Sequence, residues 1–195
     1  FSISVQENQI GSCSPTLISY WKLDETSGNT YTDYIGSNNA TSIDTPTPIA
    51  GRVNGGQLFN GTSDRITAPR IPAYDFNVNT SFSLEAWIKH AAVAFSDDEI
   101  IVERKASSGA LAISLKFESA SLTFLVRSNN YSQLFSAKGT TNLYDNNWHH
   151  VVGIRDASTN QLRVYVDGVL ERTLPATFTY GFTSATDGID IGWRR

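Results

Sequence analysis

Between Trp148 and Arg172 apolar and polar residues alternate with a period of two. Successive side chains of a strand point to opposite faces, so Val151, Gly153 and Arg155 share one face and Val152, Ile154 and Asp156 the other. After the small polar turn Ala157 to Gln161, Leu162, Val164 and Val166 alternate with Arg163, Tyr165 and Asp167. Asp167-Gly168 is a dipeptide that tight hairpins prefer, and Val169-Leu170 opens a third strand. The stretch predicts a three-strand antiparallel meander with no helix.

Similar patterns recur along the chain. Leu17 to Leu23 reads as a first core strand. Phe82 to His90 reads as another, with Phe82, Leu84, Ala86 and Ile88 on its core face and Ser83, Glu85, Trp87 and Lys89 opposite. Arg65 to Ala68, Glu99 to Arg104, Leu111 to Phe117, Leu122 to Val126, Gln133 to Ala137 and Gly188 to Gly192 extend the series. Thr41 to Gly51, which holds Pro46 and Pro48, reads as irregular. About a dozen strands, with turn signals about every 8–12 residues, predict an all-β, two-sheet antiparallel β-sandwich. Phe1 to Pro15 stands apart, with alternation over Phe1 to Val5 and then a polar stretch broken by Gly11 and Pro15. Residues 1–15 are expected to form a linker or an N-terminal edge strand, and residues 16–195 one domain.

Composition narrows the function. The 195 residues carry a net charge of −4, and no segment concentrates Lys or Arg, which excludes a nucleic-acid footprint. No window approaches 18 uninterrupted apolar residues, so no membrane insertion is expected. Cys13 is the only cysteine, which rules out an internal disulfide, and there is no Met. The chain is expected to be part of a larger secreted or cell-surface protein.

The blocks YWKLDETSG, GGQLFNGTSDRITAP, FSLEAWIKH, NNWHHVVGIRD, LRVYVDG and IDIG follow one another from Tyr20 to Gly192. In order and spacing they resemble the laminin-G-like, or pentraxin-like, domain. The resemblance implies a concanavalin A-like lectin/glucanase jelly roll. Such domains usually close with a further strand carrying an acidic segment, whereas this sequence ends at Trp193-Arg194-Arg195. A missing final strand would leave an open sheet edge, which favours a dimer, unless Phe1 to Val5 fills it. The resemblance also implies a structural calcium at the rim. Asp33 would give a carboxylate and Asn38 a side-chain carbonyl, with Asp190 standing in for the absent acidic segment. An Asx turn is the alternative for Asp33.

Catalysis is not expected. Glucanases of this fold carry E-x-D-x-x-E on one strand. The nearest match here is Glu99 and Glu103, sharing a face with Ile101 between them and lacking the middle carboxylate. The adjacent His149 and His150 point to opposite faces, which excludes a shared metal, and His90 at a strand end is expected to be solvated. Sugar recognition needs aromatic faces and planar amides or charges. Tyr131, Asn130 and Asn129, with Arg127 beside them, supply these. The expected function is a non-catalytic carbohydrate-binding module, with cell adhesion or protein interaction as the alternative.

Overall fold

Alternating apolar residues can be buried together only if two strand layers face each other, and that is what the chain builds. The computed structural model describes residues 2–4, 16–91, 99–105 and 111–194. In chain order the strands are β1 (Ser2–Ser4), β2 (Thr30–Tyr31), β3 (Ala40–Ser42), β4 (Thr47–Ala50), β5 (Gly55–Leu58), β6 (Ile66–Ala68), β7 (Phe82–Lys89) and β8 (Glu99–Lys105). They continue as β9 (Leu111–Glu118), β10 (Ser121–Arg127), β11 (Leu134–Lys138), β12 (Trp148–Asp156), β13 (Gln161–Val166), β14 (Val169–Pro175) and β15 (Ile189–Arg194). A seven-stranded sheet runs β14-β13-β12-β7-β1-β5-β4, and an eight-stranded sheet runs β11-β10-β9-β8-β15-β6-β3-β2. Every pairing is antiparallel.

One apolar cluster fills the space between the sheets. Ala86, Ile88, Val151, Leu162, Val164 and Val166 meet Ile113, Leu115, Phe117, Leu122, Phe124 and Val126 from the opposite layer. Burying each of the larger side chains contributes about 1.5–3 kcal/mol. The β12–β14 meander forms as the sequence predicts, with Asp156 opposite Gln161 and Val166 opposite Val169. At Gly153 on the inner face of β12, the Phe124 ring of the facing sheet comes so close that a Cβ would lie 2.5 Å from its carbons. No side chain larger than hydrogen fits there without moving a sheet.

Several expectations are corrected. Leu17 to Leu23 forms no strand and keeps only a bridge from Trp21 to Asp33. Leu23 takes φ +59°, which breaks an extended run. Thr41 to Gly51 is not all irregular, because it holds the end of β3 and all of β4. β4 tolerates Pro48 because it ends its sheet. Ser2–Ser4 is neither linker nor edge strand: it pairs with β5 on one side and β7 on the other. Cys13 and the rest of residues 5–15 lie outside the described residues. β15, the last strand, is paired on both sides, by β6 and β8, so no open edge lies beside it. Among the described residues the sheets end at β4, β14, β2 and β11.

The largest correction concerns β8. A register shift between Ile100 and Val102 adds a residue to this strand. Glu99 then pairs with Phe117, a core residue, while Glu103 pairs with Ser114, which alternates with the core residues Ile113 and Leu115. The two glutamates therefore face opposite sides of the sheet. His90 is not solvated but 1% exposed, stacked on Tyr144 at 3.9 Å and bonded to Glu99 at 3.0 Å.

The tight approach at Gly153 gives a test. Gly153→Ala is expected to lower stability by about 1–3 kcal/mol in urea unfolding. An unchanged midpoint would show that the layers do not meet there.

Candidate functional site

Two loops at one rim of the sandwich bear on each other. The first, residues 128–133, joins β10 to β11, and the second, residues 176–188, joins β14 to β15. The Asn129 amide donates to the Gly181 carbonyl at 2.9 Å, and its side-chain nitrogen donates to Thr183 Oγ1 at 2.9 Å. Gln133 Nε2 donates to the Thr177 carbonyl at 3.3 Å, and its Oε1 accepts from the Thr179 amide at 2.8 Å. Tyr180 lies between these tethers.

Asn130 Oδ1 holds the first loop in shape, accepting from Ser128 Oγ at 2.7 Å, Ser132 Oγ at 2.8 Å and the Ser132 amide at 3.2 Å. Inside this brace Tyr131 sits at φ +63°, a left-handed conformation costly for a ring-bearing residue. Tyr131 and Tyr180 are 42% and 50% exposed. Beneath the second loop runs a chain of rings packed edge to face. Phe135 meets Phe178 at 5.0 Å, Phe178 meets Phe182 at 4.8 Å, and Phe182 meets Phe82 at 5.5 Å.

Of the four expected ligand-binding residues, the structure thus groups Tyr131, Asn130 and Asn129 on one loop. Asn129 is a strut and Asn130 a brace, while Tyr131 presents its ring. Arg127 stands at the base of the loop, opposite Leu134. Sequence reasoning missed Tyr180 and Leu134, both exposed. The signal was present: Thr173 to Thr186 holds no charged residue, yet carries three aromatic side chains after Pro175, namely Phe178, Tyr180 and Phe182.

The calcium set does not assemble. Asp33 Oδ1 accepts from the amides of Tyr20, Ile35 and Gly36 at 2.9, 3.0 and 3.1 Å, and Oδ2 accepts from the Asn38 amide at 3.2 Å. Burial by itself raises the Asp33 pKa, but these amides and the Ser19 hydroxyl outweigh it and hold the carboxyl below the usual carboxylate range. Asn38 donates its side-chain nitrogen to Tyr74 Oη at 2.7 Å and the Pro69 carbonyl at 3.1 Å. Asp190 faces outward on β15, where it accepts from Thr67 at 2.7 Å and Lys105 at 2.7 Å. Calcium needs six to eight free oxygens, and here the Asp33 carboxylate is spent on backbone amides while Glu25 accepts from the Thr32 amide at 2.9 Å. The residues do not fit the ion. Asp33 is the centre of a turn.

Several other ionisable groups are also committed to structure. Lys105 lies 4.3 Å from the Trp193 ring centre, and the indole N–H donates to Glu103 at 2.6 Å. Glu99 accepts from Tyr144 and His90. His149 bridges Asp167 at 2.7 Å and Asp145 at 3.2 Å. Burial lowers the His149 pKa, but the two carboxylates outweigh it and raise it above the ordinary histidine value. His150 lies on the other face beside Trp87.

A family profile for the concanavalin A-like lectin/glucanases superfamily, Laminin_G_3, matches residues 60–194. The chain belongs to this family. No curated protein sequence matches it. Among solved structures, the binding domain of Paraclostridial Mosquitocidal Protein 1 superimposes with a TM-score of 0.70 at 11% identity, over 97% of this chain and 43% of that one. The ligand binding domain of botulinum neurotoxin serotype D, in complex with N-acetylneuraminic acid, gives 0.62 at 13% identity over 90% and 42%. The binding domain of botulinum neurotoxin DC, in complex with rat synaptotagmin II, gives 0.61 at 15% identity over 92% and 44%. At these identities the likeness shows the fold. The chain spans less than half the length of each of these structures. Among its described residues the family member has no helix long and apolar enough to cross a membrane.

Two outcomes follow from the turn and the clamp. Asp33→Ala strands four amides and is expected to cost about 1–3 kcal/mol, while a chelator leaves the melting temperature of the unaltered chain in place. Because the folded pKa of Asp33 is depressed, its contribution is present above the unfolded value of about 3.9 and is lost as pH falls through the folded one. His149 behaves oppositely. Its raised pKa gives stability that is full below about pH 6.5 and is lost as pH rises through the folded value. Melting temperatures across that range should show the fall, and Asp167→Asn should flatten it.

Proposed function

We propose that this chain is a non-catalytic binding module that holds carbohydrate at the rim carrying Tyr131 and Tyr180, working outside the cell within a larger secreted or surface protein. The observation that carries the reading is the braced, left-handed Tyr131. A costly backbone conformation held by Asn130 keeps an aromatic ring exposed instead of buried. Aromatic faces suit the apolar side of a pyranose, and nearby amides suit its hydroxyls. Solved structures of the same fold are described as binding domains, one of them in complex with N-acetylneuraminic acid, which supports recognition over reaction. The opposed faces of Glu99 and Glu103 support it too, because glycoside hydrolysis needs two carboxyl groups across one groove.

A protein-interaction module is the second reading. β12 carries Val152 and Ile154 on its outer face, beside Tyr165 and the exposed Leu170, where a solvated sheet would carry polar residues.

The test is a glycan array followed by calorimetry on the hits. Tyr131→Gly removes the ring without straining the turn, and Tyr180→Ala removes the other. Each is expected to weaken binding about tenfold, or about 1.4 kcal/mol, with the melting temperature unchanged or higher. A chain that binds no glycan, or variants that bind as well as the parent, would sink the carbohydrate reading.

A further inference from the structure

The charge of the rim is unusual for this chain. The protein carries a net −4, yet residues 128–137 and 173–186 hold no charged side chain at all. Asp187, near the end of the second loop, accepts from Ser184 Oγ at 2.8 Å, and the charge at the base of the first loop is Arg127. It follows the buried Val126 at the end of β10, so it faces away from the core, and it sits across from the exposed Leu134 at the base of the Tyr131 loop. Its guanidinium has no hydrogen bond or ion pair among the described residues. Lys138, also on the outward face of this sheet, differs in lying 3.8 Å from Glu118. Arg70, at the far side of the second loop, is bonded to Asp75 and to the Ser184 carbonyl.

From this arrangement we infer that the rim selects sugars bearing a single carboxylate, and that Arg127 is the residue that reads it. The inference rests on the carbohydrate reading of the same rim and names its ligand class. A guanidinium presents parallel N–H donors matched to a planar carboxylate, and such charge-assisted pairs are the strong ones. With no acid paired to it among the described residues, the guanidinium keeps its donors for the ligand. With no second cation beside it, the rim gains little from a multiply charged chain. Tyr131 and Tyr180 would hold the apolar face of the ring, while Arg127 holds the acid at the loop base.

Calorimetry on the full chain tests this with four probes: 3′-sialyllactose, its methyl ester, lactose and the methyl glycoside of galacturonic acid. The sialylated and uronate arms separate the two sources of a sugar carboxylate. At least one acid is expected to bind about tenfold tighter than the neutral probes, with that advantage shrinking as salt rises. Arg127→Gln should remove the advantage and leave the neutral affinity in place. Arg127→Lys should restore only part of it, because the charge returns without the fork. Melting temperatures of both variants should match the parent, since Arg127 has no structural partner among the described residues. Equal binding of 3′-sialyllactose and its ester, or an acid preference that survives Arg127→Gln, overturns the inference and leaves the carbohydrate reading standing. Failure of all four probes together with a blank glycan array overturns both.

Discussion

A buried positive charge must find partners, and Arg104 finds them in segments far away in the sequence. Only 2% exposed on the inner side of β8, it donates to the carbonyls of Tyr74 and Phe182 and to Asp75 at 3.0 Å. Asp75 also accepts from the Ser184 amide at 3.1 Å and from Arg70. Leaving such a cation without acceptors would cost several kcal/mol, so the short 3-10 turn at Pro72–Tyr74 and the loop before β15 are held against the end of the sandwich. The edge-to-face chain of rings from Phe82 to Phe135 packs over the same region. The second rim loop, tethered in turn to the first through Gln133 and Asn129, inherits its position from that buried arginine.

The same need for satisfaction explains what the carboxylates do. Asp33 organises a turn, Glu99 anchors His90 and Tyr144, Asp75 neutralises two arginines, and Asp190 and Glu103 hold Lys105 over the Trp193 ring. Burial pushes the Tyr144 hydroxyl far above the usual tyrosine range, and its bond to Glu99 pushes further. These acids work as fasteners. At the rim, by contrast, Asn130 braces a loop whose Tyr131 is exposed, as is Tyr180 on the neighbouring loop.

The sequence by itself determined the sandwich, the central meander and the alternating faces of β7 and β12, because those follow from a period of two and from local turn chemistry. It also pointed to Tyr131 and its neighbours, since polar loops with an aromatic residue stand out in one dimension. It did not determine the places where distant residues compete for one backbone. The bulge in β8 depends on its partner strand, and it turned Glu99 inward and Glu103 outward. Asp33 became the centre of a turn because four amides converge on it. Tyr180 joined Tyr131 only because Gln133 and Asn129 reach across roughly 50 positions of chain to bind its loop. Strand Ser2–Ser4 filled a gap between β5 and β7 because a sheet interior leaves backbone donors that only another strand satisfies. Periodicity is local and legible in the chain; hydrogen-bond partners are non-local, and tertiary structure alone assigned them.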